Sequence, residues 1–208
     1  WAISMMILMM IVINVVSSFG ECQFPKYLFK GNFDLKGKTI IEAGYVLDTD
    51  PEYDAEPIGV SGDGIFLYIN YGGEKRVCCI SKLVYNEDGE IESDDLAERL
   101  LILLSEKSDF DTLYSIYKKF QSAFCRKYGK PTESRERFNY PWSFTDSNQI
   151  KTDVLSEGEC VIYTVWEDDR DKIELFIAAD GMVKVSFCNK NNVLKRFEKQ
   201  RKNLDSSI

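Results

Sequence analysis

The stretch "CVIYTVWEDDRDKIELFIAADGMVKVSFCN" (Cys160–Asn189) decides how the rest of this chain is read. Apolar and polar residues alternate through CVIYTVWED, KIELFIAAD and MVKVSFCN, the period of strands with one buried face. The charged DRD joins the first two runs. Asp180-Gly181, a dipeptide suited to tight hairpin turns, joins the last two. Three antiparallel strands in succession are therefore expected. A tight turn at Asp180-Gly181 would set Cys188 beside Ile173 and leave Cys160 on the far side of the middle strand, too far for a Cys160–Cys188 bridge.

A sheet with one apolar face needs a cover, and the sequence upstream supplies one. Leu113, Ile116, Tyr117, Phe120, Ala123, Phe124 and Tyr128 recur at helical spacing, with Lys118, Lys119, Gln121, Ser122 and Arg126 on the other face. Ser108 followed by Asp111 resembles a capping box. Gly129 ends a helix readily, and Pro131 forbids its continuation. The spacing predicts a long amphipathic helix over about 109–128, packed on the sheet.

Working outward, Ile65–Tyr71 and Arg76–Tyr85 flank "GGEK" as a hairpin. The adjacent Cys78 and Cys79 would point to opposite faces of their strand. Leu100–Leu104 reads as a short buried strand, "ESRERFNYPWSF" as a strand running into a turn, and "NQIKTDVLSEGE" as a short helix. "GVSGDG" (Gly59–Gly64) matches no phosphate-loop pattern and reads as a loop entering a strand. "NNVLKRFEKQRKNL" closes the chain as a short basic helix that Asn191 or Asn192 would cap. Residues 24–62 read two ways. Thr39 and Glu42 form a capping box that would start a helix, while Gly44 and the β-branched Ile40, Ile41 and Val46 tilt the balance slightly to strand, and the two readings stay open. The fold class is α+β, antiparallel meanders under a long helix with a C-terminal helix.

The start of the chain carries an address. "MMILMMIVINVV" (Met5–Val16) is apolar but for one Asn, and the small residues of "SSFG" and the polar "ECQ" follow. This reads as a secretory signal peptide over 1–20, cleaved near Gly20, ahead of one α+β domain over 21–208 that could divide into sub-halves of about 21–107 and 108–208. The alternative is an uncleaved membrane anchor, for which the run is shorter than the ~20 residues a span needs. Membrane contact is expected only if the segment stays in place. Periplasmic or secreted location follows. Glu21 before Cys22 argues against lipidation.

The 208 residues carry a formal net charge of −8 and no His. An acidic chain repels phosphate backbones, so nucleic acid is not an expected partner. Without His, Ser–His–Asp and Cys–His arrangements and the common zinc sites fall away. The six Cys (22, 78, 79, 125, 160 and 188) match no metal spacing, and a chain of this size folds without a disulfide framework. "DTDPEYDAE" sets Asp48, Asp50, Glu52, Asp54 and Glu56 in a row, and alternating carboxylates are the ligands of a hard cation such as calcium. Tyr53 stands where an EF-hand loop needs glycine, so a solvated acidic loop is the simpler reading. The exposed Tyr, with Trp142 and Trp166, are candidates for a sugar- or peptide-binding face, against the commoner role of aromatics in a core. No catalytic residue and no cofactor is expected.

From the long helix onward the chain resembles a family of exported proteins of Bacteroides-type gut bacteria that has no assigned reaction. The resemblance rests on Lys127–Pro131 (KYGKP), Glu136 and Phe138, the strand Cys160–Tyr163, Ile173–Ile177, Val183–Phe187 and Asn192. It covers about half the chain. It implies export and an α+β fold and assigns no site residue. The functional expectation is a non-catalytic binding or protein-interaction module of the cell envelope, with an envelope protein or glycan as partner. Its rival is a small envelope hydrolase using carboxylates or a Cys, with calcium as a possible aid.

Overall fold

The computed structural model describes residues 35, 37–49, 54–61, 64–71, 73–83 and 95–205. The expected signal segment over 1–20, Cys22 and the acids Asp50 and Glu52 lie outside these residues. Among the described residues no helix is long and apolar enough to cross a membrane.

The fold is α+β, as the alternation and helical spacing imply. In chain order it runs α1 (Ile40–Thr49), β1 (Glu56–Ser61), β2 (Gly64–Tyr71), β3 (Glu74–Ser81), β4 (Arg99–Leu103), α2 (Phe110–Tyr128), β5 (Glu133–Phe138), α3 (Asn148–Ser156), β6 (Cys160–Glu167), β7 (Asp171–Ala178), β8 (Met182–Asn189) and α4 (Lys190–Asp205). The eight strands form one antiparallel sheet in the order β1-β2-β3-β4-β8-β7-β6-β5. Two four-stranded meanders thus meet where β4 pairs with β8.

Alternation along the strands sends one set of side chains under the helices. Leu67, Ile69, Cys78, Ile80, Leu100, Ile102, Val183, Val185, Phe187, Ile173, Leu175 and Ile177 join Ile40, Phe110, Leu113, Tyr117, Phe120 and Phe124 in one buried cluster. α1 packs on β2 and β3, and α2 packs on β7 and β8.

The β7–β8 hairpin corrects one expectation. Its loop holds three residues, since Ala178 pairs with Met182 and Gly181 takes a φ of 80°. Cys188 therefore sits opposite Lys172, and Ile173 opposite Phe187. The reason is burial. This register pairs Ile173, Leu175 and Ile177 with Phe187, Val185 and Val183 on the core face, whereas a shift by one would pair them with Cys188, Ser186 and Lys184.

α1 corrects a second expectation, because residues 40–49 are helical and not strand. The capping box closes in both directions. Thr39 N–H donates to Glu42 Oε2 at 2.9 Å, and Glu42 N–H donates to Thr39 Oγ1 at 3.1 Å. Gly44 lets the helix approach the sheet, since a Cβ there would stand 3.2 Å from Ile65 Cδ1. The segment read as a loop before Gly64 is also different, because Glu56–Ser61 is the edge strand β1.

α2 begins one residue later than the Ser108 box suggests. Asp109 is its cap, accepting from Thr112 N–H at 3.1 Å, while Ser108 N–H donates to Gly181 O at 3.1 Å. α3 satisfies two more of the orphan amides of the α2 start. Phe110 N–H donates to Thr152 Oγ1 and Asp111 N–H to Asn148 Oδ1, each at 2.9 Å. At the far end Gly129 caps the helix as expected, and Trp166 Nε1 donates to Gly129 O at 3.0 Å. Trp166 is thus a core residue and not a member of a binding face.

α4 is capped by Asn189, whose Oδ1 accepts from Asn192 N–H at 3.1 Å. Asn192 itself is fully buried and works elsewhere. Its Nδ2 donates to Leu35 O at 2.6 Å and Ala97 O at 2.8 Å, and its Oδ1 accepts from Gly37 N–H at 2.8 Å. Beside it, Glu98 accepts from Leu83 N–H at 2.9 Å and from Arg196 Nε, and Lys82 pairs with Asp95 at 2.7 Å.

Asn192→Ala would leave the buried Ala97 carbonyl unpaired, at about 1–3 kcal/mol, and take one partner each from the exposed Gly37 amide and from the Leu35 carbonyl, which keeps Lys38 N–H. We expect a net loss of about 1–3 kcal/mol in urea unfolding, and a loss below about 0.5 kcal/mol would show that water takes over these bonds. The Asp109 cap sets an acid limit. Hydrogen bonds from Asn148 and Thr112 lower its carboxyl from 3.8 to about 2, so its contribution is present above pH 3.8 and is lost as the pH falls toward 2. Melting curves of Asp109→Asn, which keeps a capping side chain but cannot titrate, should converge on wild type over that window. A difference independent of pH would refute the role of the charge.

Candidate binding groove

β2 and β3 run together to the pair Tyr71–Glu74, but β4 accompanies β3 only as far as the pair Cys78–Ile102. The tip of the hairpin therefore projects beyond β4. The chain after β4 turns toward β8 instead. Leu104 N–H donates to Val183 O at 2.8 Å, and Val183 N–H donates to Ser105 Oγ at 2.9 Å. Between the projecting hairpin, residues 104–108 and the first half of α2 lies an open groove of about 790 Å³. Val77, Leu103, Ile116, Phe120 and Met182 supply its apolar lining, and its volume is that of a small-ligand or peptide site.

Four cations, Lys75, Arg76, Lys107 and Lys119, line this groove against two acids, Glu74 and Glu106. Arg76 is built in. Its Nη2 pairs with Glu74 at 2.6 Å, its Nε donates to Tyr71 O at 3.1 Å, its Nη1 donates to Leu104 O, and its guanidinium lies 5.4 Å from the Phe120 ring centre. Lys75 pairs with Glu56 and lies over the Tyr68 ring. Lys107 and Lys119 have no carboxylate partner within ion-pair distance among the described residues. In a chain of net charge −8 this is a local excess of positive charge, suited to an anionic group.

A second polar cluster pins β5 to α2. Glu136 accepts from Tyr114 OH, from Lys118 Nζ at 3.0 Å and from Gln121 Nε2 at 3.1 Å. Burial pushes the Glu136 carboxyl up, but these bonds and the Lys118 charge outweigh it and hold the group below its ordinary value. A carboxylate so occupied is a poor base. Gln121 also reaches Thr164 Oγ1 at 2.7 Å, and Tyr117 OH shares a 2.6 Å bond with Thr164. These bonds are those of a strut between helix and edge strand.

The five described cysteines are free. Burial pushes the thiols of Cys78 and Cys160 up to about 12 and Cys188 to about 11, and it raises Cys79 as well. Each is thereby kept protonated and un-nucleophilic near neutral pH. Cys78 is buried and Cys79 partly exposed, the split expected of neighbours on a strand.

The acidic candidates do not converge among the described residues. Asp48 lies in the last turn of α1, Asp54 is exposed just before β1 with a φ of 44°, and Glu56 is on β1, paired with Lys75. No group of three or more metal-ligating side chains forms among the described residues. Trp142 is partly exposed on the loop after β5. The groove cations carry no signal in the sequence. Helical spacing places Lys119 off the apolar stripe of α2, but Lys75–Arg76, Lys107 and Lys119 sit on different elements with no common spacing to betray a shared site.

No family model, no curated protein and no solved structure matches this chain. The groove and its charges therefore carry the functional argument on their own.

Native-state alkylation tests the thiol environment. At pH 8, Cys78 and Cys160 should label far more slowly than in the urea-unfolded chain, by roughly 10²-fold or more given burial and thiolate fraction. Native labelling of Cys160 at the unfolded rate, read by peptide mass spectrometry, would contradict the burial described.

Proposed function

We propose that this chain is an exported, non-catalytic binding module of the cell envelope, and that the groove between the β2–β3 hairpin, residues 104–108 and α2 holds an anionic group of its partner protein or glycan. The observation that carries this reading is the groove itself, an open apolar-floored site with excess cations on an acidic chain. Two further facts support binding over hydrolysis. The buried thiols are held protonated, and the Glu136 carboxylate is saturated by its donors. Export is supported by the apolar run Met5–Val16.

Lys107→Glu with Lys119→Glu reverses the groove charge at two exposed positions. The double variant should melt within a few degrees of wild type and capture at least about tenfold less of any anionic envelope component that wild type retains. Equal capture by the two proteins, or turnover of an envelope substrate by wild type, would overturn the reading.

A further inference from the structure

The C-terminal helix α4 differs in charge from the rest of the molecule. It carries six cations, Lys190, Lys195, Arg196, Lys199, Arg201 and Lys202, against Glu198 and Asp205. Its net charge is +4 in a chain of −8, which leaves the other residues at −12. The first two turns hold it to the body. Asn192 is buried, Lys190 pairs with Glu167 at 2.5 Å, and Arg196 is bonded to Glu98. From Phe197 to Lys202 every residue is exposed.

Along the outer face of this helix a pair of large apolar side chains meets solvent, Leu194 at 59% and Phe197 at 54% exposure. Three residues apart, they share one helix face. Lys195, Lys199, Arg201 and Lys202 are exposed around them. Apolar anchors bordered by cations make the pattern of a helix that lies in a membrane interface. At physiological salt the charge of the acidic body is screened over about 8 Å, while the exposed cations of α4 would meet a bound surface directly.

We infer that the outer half of α4 docks on an anionic lipid surface, with Leu194 and Phe197 entering the headgroup boundary and Lys195, Lys199, Arg201 and Lys202 against the phosphates. This is a site separate from the groove, and it stands whether or not the groove reading does. Exposed apolar anchors favour a bilayer over nucleic acid, which would need the cations alone.

The test is co-sedimentation of the full chain with vesicles of phosphatidylcholine alone and of phosphatidylcholine mixed with phosphatidylglycerol. Wild type should bind the mixed vesicles at least about tenfold better than Leu194→Asp/Phe197→Asp, and the advantage should fade in high salt. The apolar run Met5–Val16 is present in both proteins, so the difference between them reports α4. Lys107→Glu/Lys119→Glu should bind like wild type, which separates this surface from the groove. Equal binding by wild type and the Asp double variant would overturn the inference. So would equal attachment of wild type to both vesicle types, or retention of wild type and the Asp variant alike on a DNA column with no preference for vesicles.

Discussion

The constraint on which the structure depends is the hydrogen-bond set of one buried amide, Asn192. Its side chain makes three bonds to backbone of the first half of the chain, at Leu35, Gly37 and Ala97, from the start of a helix in the second half. A buried amide of this kind is satisfied by one arrangement and costly in any other. It therefore fixes where α4 leaves the sheet and how the segment leading to α1 returns to the β3–β4 connection. Ala97 N–H bonding to Lys38 O and Asn189 N–H bonding to Glu98 O extend the same joint through the backbone. The Glu98–Arg196 and Lys82–Asp95 pairs stand beside it, and a further bond from Leu83 N–H helps offset the desolvation of Glu98.

From that joint the two meanders run outward as one sheet, and the surface features follow from where strands stop. β3 outlasts β4, so the hairpin tip stands alone, and the chain after Leu103 is drawn to β8 by bonds at Val183 and Gly181. The groove is the space left between them. Arg76 bridges it on the core side with bonds to both walls, which makes the site a preformed one. α4 gathers cations on a helix that the body holds only as far as Arg196.

Much of this fold is legible in the sequence, and the misreadings have physical causes. The long helix, its Gly129 stop and the meander follow from spacing alone, because burial on one face imposes a period on the sequence. The Asp-Gly signal points to the right hairpin with the wrong loop length. The partners of Ile173, Leu175 and Ile177 are the better guide, since a slip of one residue would pair core side chains with Ser186 and Lys184. At 40–49 the capping box is visible, but the β-branched residues outweigh it in a reading by propensity. In the structure the reciprocal Thr39–Glu42 bonds and the close approach at Gly44 win, because tertiary contact overrides a propensity of a few tenths of a kcal/mol per residue. The cap expected at Ser108 falls to Asp109, whose carboxylate accepts from Thr112 N–H, while Ser108 is tied through its own N–H to Gly181 O. The acidic row suggests a metal site because its residues are adjacent in sequence. The groove cations do not, because Lys75–Arg76, Lys107 and Lys119 come together only in space.

By itself the sequence determined the α+β class, the long amphipathic helix and its end at Gly129, the antiparallel hairpins, the acidic balance and the absence of His-based chemistry. These are local or compositional properties, fixed by the periods of helix and strand and by the inventory of side chains. Only the tertiary structure decided the joining of the meanders at β4 and β8, the burial of Asn192 at their junction, the saturation of Glu136, and the groove that brings Lys107 and Lys119 to one place. Those depend on pairings between residues tens of positions apart. Such pairings are set by the burial of every strand at once, and no window of the sequence contains them.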